Sequence, residues 1–286
     1  MTHHPAFARD KVALITGGAA GIGFALAKRF AEMGLKLVLV DNRADTLRSA
    51  VTALTRTEVM TAVVDVSDRV ALQELREQVN ARFGGIDVLV NNAGIEPSSD
   101  ALGPLDKWQN VMGVNLWGII HGCQVFVPDM IARARPGLVI NTGSKQGITA
   151  PPGNPAYNVS KAALKTYTEA LEHQLRNVNG PRINAHLLIP GFVFTELTAG
   201  DRAEKPAGAW TPDQTAAFAL QSVKRGDFYI LCPDNDVDRE LDEKRMVWAM
   251  GDIIENRPPL SRWHEDWTAV YDAYIAQGDM PRSPDR

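Results

Sequence analysis

Cysteine is nearly absent from the chain. Only Cys123 and Cys232 occur among 286 residues, both within apolar stretches, and two such thiols build no disulfide framework. A reducing cytoplasm is therefore the expected compartment. Runs of basic residues are missing too, and the formal net charge is −4. Nucleic acid and anionic membrane surfaces are recognised through clustered positive charge, so neither is expected as a partner. No basic segment followed by an apolar run opens the chain, so no signal peptide is read. The most apolar stretch, residues 111–128, is broken by Asn115, His121 and Gln124, which suits a buried helix better than a membrane span. Metal-ligand spacing is lacking as well. His3 and His4 have no third ligand nearby, His264-Glu265 has no second histidine one turn on, and Asp234, Asp236 and Asp238 lack the glycine and distal glutamate of a calcium loop. What remains is a chain suited to a small-molecule ligand.

Short runs of Val, Ile and Leu alternate with helical patterns up to about residue 190, the signature of βαβ units and a parallel sheet. Strands are expected at residues 11–16, 36–40, 59–64, 86–91, 138–142, 182–189 and 228–231. Each is nearly unbroken in apolar character, as for strands covered on both faces. Ile22, Leu26, Phe30 and Met33 recur at helical spacing before the stop Gly34. Leu47, Val51 and Leu54 mark a second helix, and Leu72, Leu75 and Val79 a third, opened by Ser67-Asp68. Leu164, Tyr167, Leu171, Leu175 and Val178 mark a long helix ending at Asn179-Gly180-Pro181. The expected architecture is one doubly wound α/β domain of Rossmann type spanning residues 1–286. It includes a lid-like loop at 192–210 and a helical extension over 233–286, with helices at 238–251 and 263–276.

The chemistry gathers at the carboxyl ends of the strands. Thr16-Gly17-Gly18-Ala19-Ala20-Gly21-Ile22-Gly23 is a glycine-rich turn between a strand and a helix. Such a turn lets backbone N–H groups approach a pyrophosphate at the positive end of the helix dipole, although a plain βα turn can look the same. Asp41 ends the second strand, where a carboxylate accepts hydrogen bonds from the adenosine ribose and repels a 2′-phosphate. NAD is thereby favoured over NADP, with Arg43 two residues on as a countervailing cation. Asp65-Val66 and Asn91-Asn92-Ala93-Gly94 occupy the same sheet edge.

Ser144 follows the fifth strand, and Tyr157 and Lys161 stand four apart at the start of a helix, on one face. A tyrosine ionises near pH 10, so use as a base near neutrality requires about 4 kcal/mol of phenolate stabilisation. A neighbouring ammonium and a cationic nicotinamide both act in that direction. Ser144 lacks a Gly-x-Ser-x-Gly elbow, which disfavours acyl transfer.

From about Lys11 to Thr195 these motifs, in this order, resemble the short-chain dehydrogenase/reductase family. The resemblance implies that Gly17, Gly21, Ile22 and Gly23 form the cofactor turn, that Asn91-Asn92-Ala93-Gly94 is a sheet-stabilising motif, and that Asp41, Asp65, Val66, Asn91, Ala93 and Gly94 lie along the dinucleotide. It implies a catalytic set of Asn115, Ser144, Tyr157 and Lys161, the last two also contacting the cofactor. Asn115 would lie in a kinked helix whose backbone holds a water linking Lys161 to solvent, giving a proton relay. Pro190, Val193 and Thr195 would meet the nicotinamide carboxamide. The implied activity is hydride exchange between NAD and a secondary alcohol or ketone. The implied assembly is a homotetramer or homodimer packed through the helices of Asn115 and Tyr157. Phe192, Phe194, Leu197 and Trp210 suit an apolar or aromatic substrate, or simply anchor their loop on the core. Trp248, Trp263 and Trp267 leave the extension to cover a pocket or a subunit contact. Rival readings are an NADP-dependent carbonyl reductase, a non-catalytic dinucleotide-sensing protein, and an isomerase or lyase without net redox change.

Overall fold

The computed structural model describes residues 4–180 and 182–277; His3 and Pro181, each part of an expectation above, lie outside them. Seven strands, β1 (Val12–Thr16), β2 (Lys36–Asp41), β3 (Val59–Val63), β4 (Val88–Asn91), β5 (Gly137–Thr142), β6 (Ile183–Ile189) and β7 (Tyr229–Leu231), form one sheet in the order β3-β2-β1-β4-β5-β6-β7. Every neighbouring pair is parallel. The winding reverses between β1 and β4, which opens a crevice at their carboxyl ends. All seven strands lie where the apolar runs placed them, with shifts of at most two residues. β3 departs in character. It is an edge strand of intermediate and exposed residues, and Val63 is 59% exposed. Its apolar run reflects β propensity on a half-covered edge, not the two-sided burial that was expected.

The helices are α1 (Gly21–Glu32), α2 (Ala44–Ala53), α3 (Arg69–Phe83), α4 (Leu105–Met112), α5 (Gly118–Ala132), α6 (Gln146–Thr149), α7 (Pro155–Leu175), α8 (Glu196–Ala199), α9 (Pro212–Arg225), α10 (Arg239–Ile254) and α11 (Thr268–Gln277). One apolar layer joins α1, α2 and α9 to one face of the sheet through Leu26, Phe30, Leu47, Ala216 and Val223. The opposite layer joins α3, α5 and α7 through Leu72, Val79, Phe126, Met130 and Leu164. Asp68 caps α3 by accepting from the Val70 and Ala71 N–H groups, which explains why Ser67-Asp68 reads as a start signal. α7 stops at Leu175, earlier than expected, because Val178 is exposed and contributes no buried face to continue the helix.

α4 and α5 are joined through a single π turn, Gly113–Trp117, inside one helical run. That run, Leu105–Ala132, is long and apolar enough by length and composition to cross a membrane, and half of its most apolar window is buried in the protein. In the extension α10 spans Arg239–Ile254, capped by Asp238, and the second helix begins only at Thr268 after a 3₁₀ turn at Ser261–Trp263. Trp248, Tyr271 and Tyr274 form a satellite core with Trp267, and the Arg257 guanidinium lies 4.2 Å from the Trp248 ring.

Candidate active site

One cleft of about 850 Å³ runs along the carboxyl edge of the sheet, and most of the expected residues line it: Gly17, Gly21 and Ile22; Asp41; Asp65 and Val66; Ala93 and Gly94; Ser144, Tyr157 and Lys161; and Pro190, Val193 and Thr195. Gly23, Asn91 and Asn115 do not line it. Gly23 packs beneath the turn: a Cβ there would stand 2.2 Å from the Gly17 carbonyl oxygen. Asn91 stitches the sheet, its Nδ2 donating to Asn141 Oδ1 at 2.9 Å and to Cys123 Sγ at 3.3 Å.

The turn after β1 is shaped for an anion. Gly17 has a φ of +60°, and α1 begins with no side-chain cap, so its first N–H groups are left to whatever enters the cleft. The Asn92 side chain braces the turn by donating to the Thr16 and Gly17 carbonyls, each at 3.2 Å. Thr16 Oγ1 in turn accepts from the Asn92 and Ala93 N–H groups. These features fit a dinucleotide whose pyrophosphate rests on the start of α1.

Asp41 and Arg43 both line the cleft. Asp41 Oδ1 accepts from the Arg43 N–H at 3.1 Å. The Arg43 guanidinium lies 3.8 Å from Asp41 and pairs at 2.7 Å with Glu196 of α8. That pair raises the Arg43 pKa and lowers that of Glu196. The 192–210 loop is pinned at both ends, since Phe194 N–H donates to Trp210 O and Trp210 N–H to Phe192 O. Phe192 and Leu197 line the cleft, whereas Phe194 and Trp210 do not. Trp210 packs edge-on against Phe218, 5.8 Å away, and so anchors the loop.

Tyr157 and Lys161 lie on the buried first turns of α7. The Lys161 ammonium is 5.7 Å from the Tyr157 ring centroid and donates to the Thr142 carbonyl at 2.8 Å. Burial lowers the Lys161 pKa from 10.5 to about 8, opposed by Glu96. Burial and the Glu96 charge push the Tyr157 phenol up, and the Ser144 hydroxyl pulls it down. The protein alone therefore disfavours the phenolate, opposite to the direction that use of Tyr157 as a base would require.

Asn115 sits fully buried in the π turn, accepting from the Ile95 N–H and donating to the Ile95 carbonyl, both at 2.8 Å. The kink expected there is this π turn, a geometry common at functional sites. Asn115 thus holds the segment after Gly94 in place rather than facing the cleft.

Several lining residues escaped the sequence reading. Glu96 and Gln146 stand two residues beyond Gly94 and Ser144, and proximity to those motifs was the only signal available. Lys145 pairs with Asp242 at 2.6 Å and Asp234 at 3.5 Å, and Asp234 also accepts from the Phe192 N–H. This cluster ties the Ser144 segment, the loop after β6 and α10 together. Trp248, Trp263 and Trp267 do not line the cleft.

The family model described as short chain dehydrogenase matches residues 11–206. The chain is 33% identical over 248 residues to the 1-deoxy-11-beta-hydroxypentalenate dehydrogenase of Streptomyces avermitilis, covering 84% of this chain and 91% of the relative. Among solved structures it resembles a short-chain dehydrogenase/reductase from Burkholderia phymatum in complex with NAD (TM-score 0.80, 29% identity, 91% of this chain and 98% of that one). It also resembles L-sorbose reductase from Gluconobacter frateurii complexed with NADPH and L-sorbose (TM-score 0.69, 27% identity, 79% and 94%). With its seven-stranded parallel sheet and this match, the chain belongs to the short-chain dehydrogenase/reductase family, nicotinamide-dependent oxidoreductases acting on CH–OH groups of small molecules.

Proposed function

We propose that the chain is an NAD-dependent dehydrogenase/reductase of secondary alcohols and ketones in which Tyr157 exchanges the hydroxyl proton. The observation that carries this reading is the convergence of Ser144, Tyr157 and Lys161 at one end of the cleft that holds the glycine turn and Asp41 at the other. A bound nicotinamide supplies the acceptor or donor for the hydride of the carbinol carbon. In the oxidative direction Tyr157 Oη takes the proton from the substrate hydroxyl while Ser144 Oγ holds the substrate oxygen. Lys161 stabilises the phenolate by its charge, and it needs help from the positive charge of an oxidised nicotinamide because burial works against both groups. Asn115 keeps the Ile95 backbone, and with it the wall beside Lys161, in register.

Asp41 and the Arg43–Glu196 pair support NAD. A 2′-phosphate would meet two carboxylates, and the Arg43 guanidinium is already engaged by Glu196. Of the neighbours, the Burkholderia protein is described with NAD and L-sorbose reductase with NADPH, so the choice rests on these side chains. Phe192 and Leu197 in the cleft wall support a substrate with an apolar or aromatic portion. Trp117 and Val159, exposed on the helices of Asn115 and Tyr157, support a homotetramer or homodimer packed through those faces.

Incubation with NAD and a panel of secondary alcohols at alkaline pH should form NADH. Tyr157→Phe should lower kcat by roughly 10²–10⁴-fold while NADH binding persists. Failure to form NADH across the panel, or an unaltered Tyr157→Phe enzyme, refutes the reading.

A further inference from the structure

Glu96 is a carboxylate in the wall of the catalytic cleft that the hydride-transfer chemistry does not use. Its Oε1 accepts from Gln146 Nε2 at 3.2 Å, and the Gln146 backbone N–H donates to Ser144 Oγ at 3.2 Å. Gln146 thus connects Glu96 to the hydroxyl that holds the substrate oxygen. Among the described residues no donor engages the other oxygen, Oε2. The Glu96 charge reaches both Tyr157 and Lys161. A half-buried acceptor in the wall of the same cleft is open to water or to the substrate, and its position is set by Gln146 rather than by a salt bridge.

We infer that Glu96 and Gln146 form a substrate subsite that accepts a hydrogen bond from a neutral hydroxyl on the carbon next to the reacting one. This assigns the substrate class as a vicinal diol or α-hydroxyketone, and it rests on the dehydrogenase reading above. A carboxylate at that position would be repelled by Glu96. An ammonium would compete with Lys161 and with a cationic nicotinamide for the same negative charge. A hydroxyl donates without adding charge, and its hydrogen bond to an ionised acceptor is among the stronger kinds. Phe192 and Leu197, also in the cleft wall, take the apolar remainder of the molecule.

Four racemic probes share one scaffold and differ only at the adjacent carbon: 1-phenylethanol, 1-phenyl-1,2-ethanediol, 2-amino-1-phenylethanol and mandelate. With NAD the diol should exceed 1-phenylethanol in kcat/KM by roughly 10–100-fold, and the amine and the acid should fall below the diol. Glu96→Leu should collapse the diol-to-monoalcohol ratio toward one, and Gln146→Ala should reduce it. Calorimetric NAD binding checks that each variant is folded. Titration of the diol and of 1-phenylethanol into Tyr157→Phe saturated with NAD reads the subsite without turnover. Equal affinity of the two there, a ratio unmoved by Glu96→Leu, or preference for the amine or the acid overturns the subsite. Wild-type enzyme that oxidises none of the probes, with diol-selective binding intact, overturns the dehydrogenase reading for this substrate class and leaves the subsite standing.

Discussion

Replacing Lys161 with methionine should abolish activity and yet stabilise the fold. Lys161 is fully enclosed, and burial brings its pKa from 10.5 down to about 8. That fall corresponds to about 3 kcal/mol of penalty for keeping the ammonium charged inside the folded protein. Below pH 8 the lysine is protonated in both the folded and the unfolded chain, so the whole penalty is present. Between 8 and 10.5 the unfolded chain binds the proton and the folded one does not. Stability of the wild type therefore rises with pH across that window. Methionine removes the charge at similar volume but leaves the Thr142 carbonyl without its donor at 2.8 Å, a loss of roughly 1–2 kcal/mol. The net gain near pH 7 is about 1–2 kcal/mol, a rise in Tm of roughly 2–3 °C for a chain of this size. Differential scanning calorimetry of both proteins without cofactor, from pH 6 to 10.5, measures it. The advantage of the variant should be greatest below pH 8 and should shrink and reverse as the pH climbs. A Lys161→Met protein less stable than wild type at pH 7, or an advantage independent of pH, would refute the reasoning.

At the adenosine end, Asp41→Ser combined with Glu196→Gln removes two carboxylates and frees Arg43. The ratio of kcat/KM for NADP to that for NAD should rise by roughly 10–100-fold, and an unchanged ratio sinks the electrostatic account of cofactor choice. Lys145→Met leaves the carboxylates of Asp234 and Asp242 buried together, with side chains only 6% and 7% exposed. It should cost roughly 3–5 kcal/mol in urea unfolding, and Asp242→Asn in the same background should recover part of that loss. Gly23→Ala drives a methyl into the Gly17 carbonyl, so NADH binding measured by fluorescence should be lost while far-UV circular dichroism is retained.

The strands were legible because a doubly covered parallel sheet demands apolar runs, as in Val12–Thr16 and Gly137–Thr142, whose residues are all buried. β3 misled for the same reason: a β-branched edge strand carries the same letters as a buried one. Glycine turns and the Tyr157–Lys161 spacing were legible because their chemistry acts over a few consecutive residues. Asn115 carried a motif letter whose side chain turns out to brace the Ile95 backbone. Only long-range contacts reveal that.

By itself the sequence determined the sheet, the order of the motif-bearing turns along one edge, and the residue types available for proton exchange. Tertiary structure alone decided that Glu96 and Gln146 join Ser144, that Arg43 is engaged by Glu196 across 153 positions, and that Lys145 links the active site to the extension. The physical reason is range. Apolar periodicity and turn chemistry are local and leave their mark in neighbouring letters. Burial, which moves Lys161 and Tyr157 in opposite directions, and ion pairing exist only once distant segments share a space.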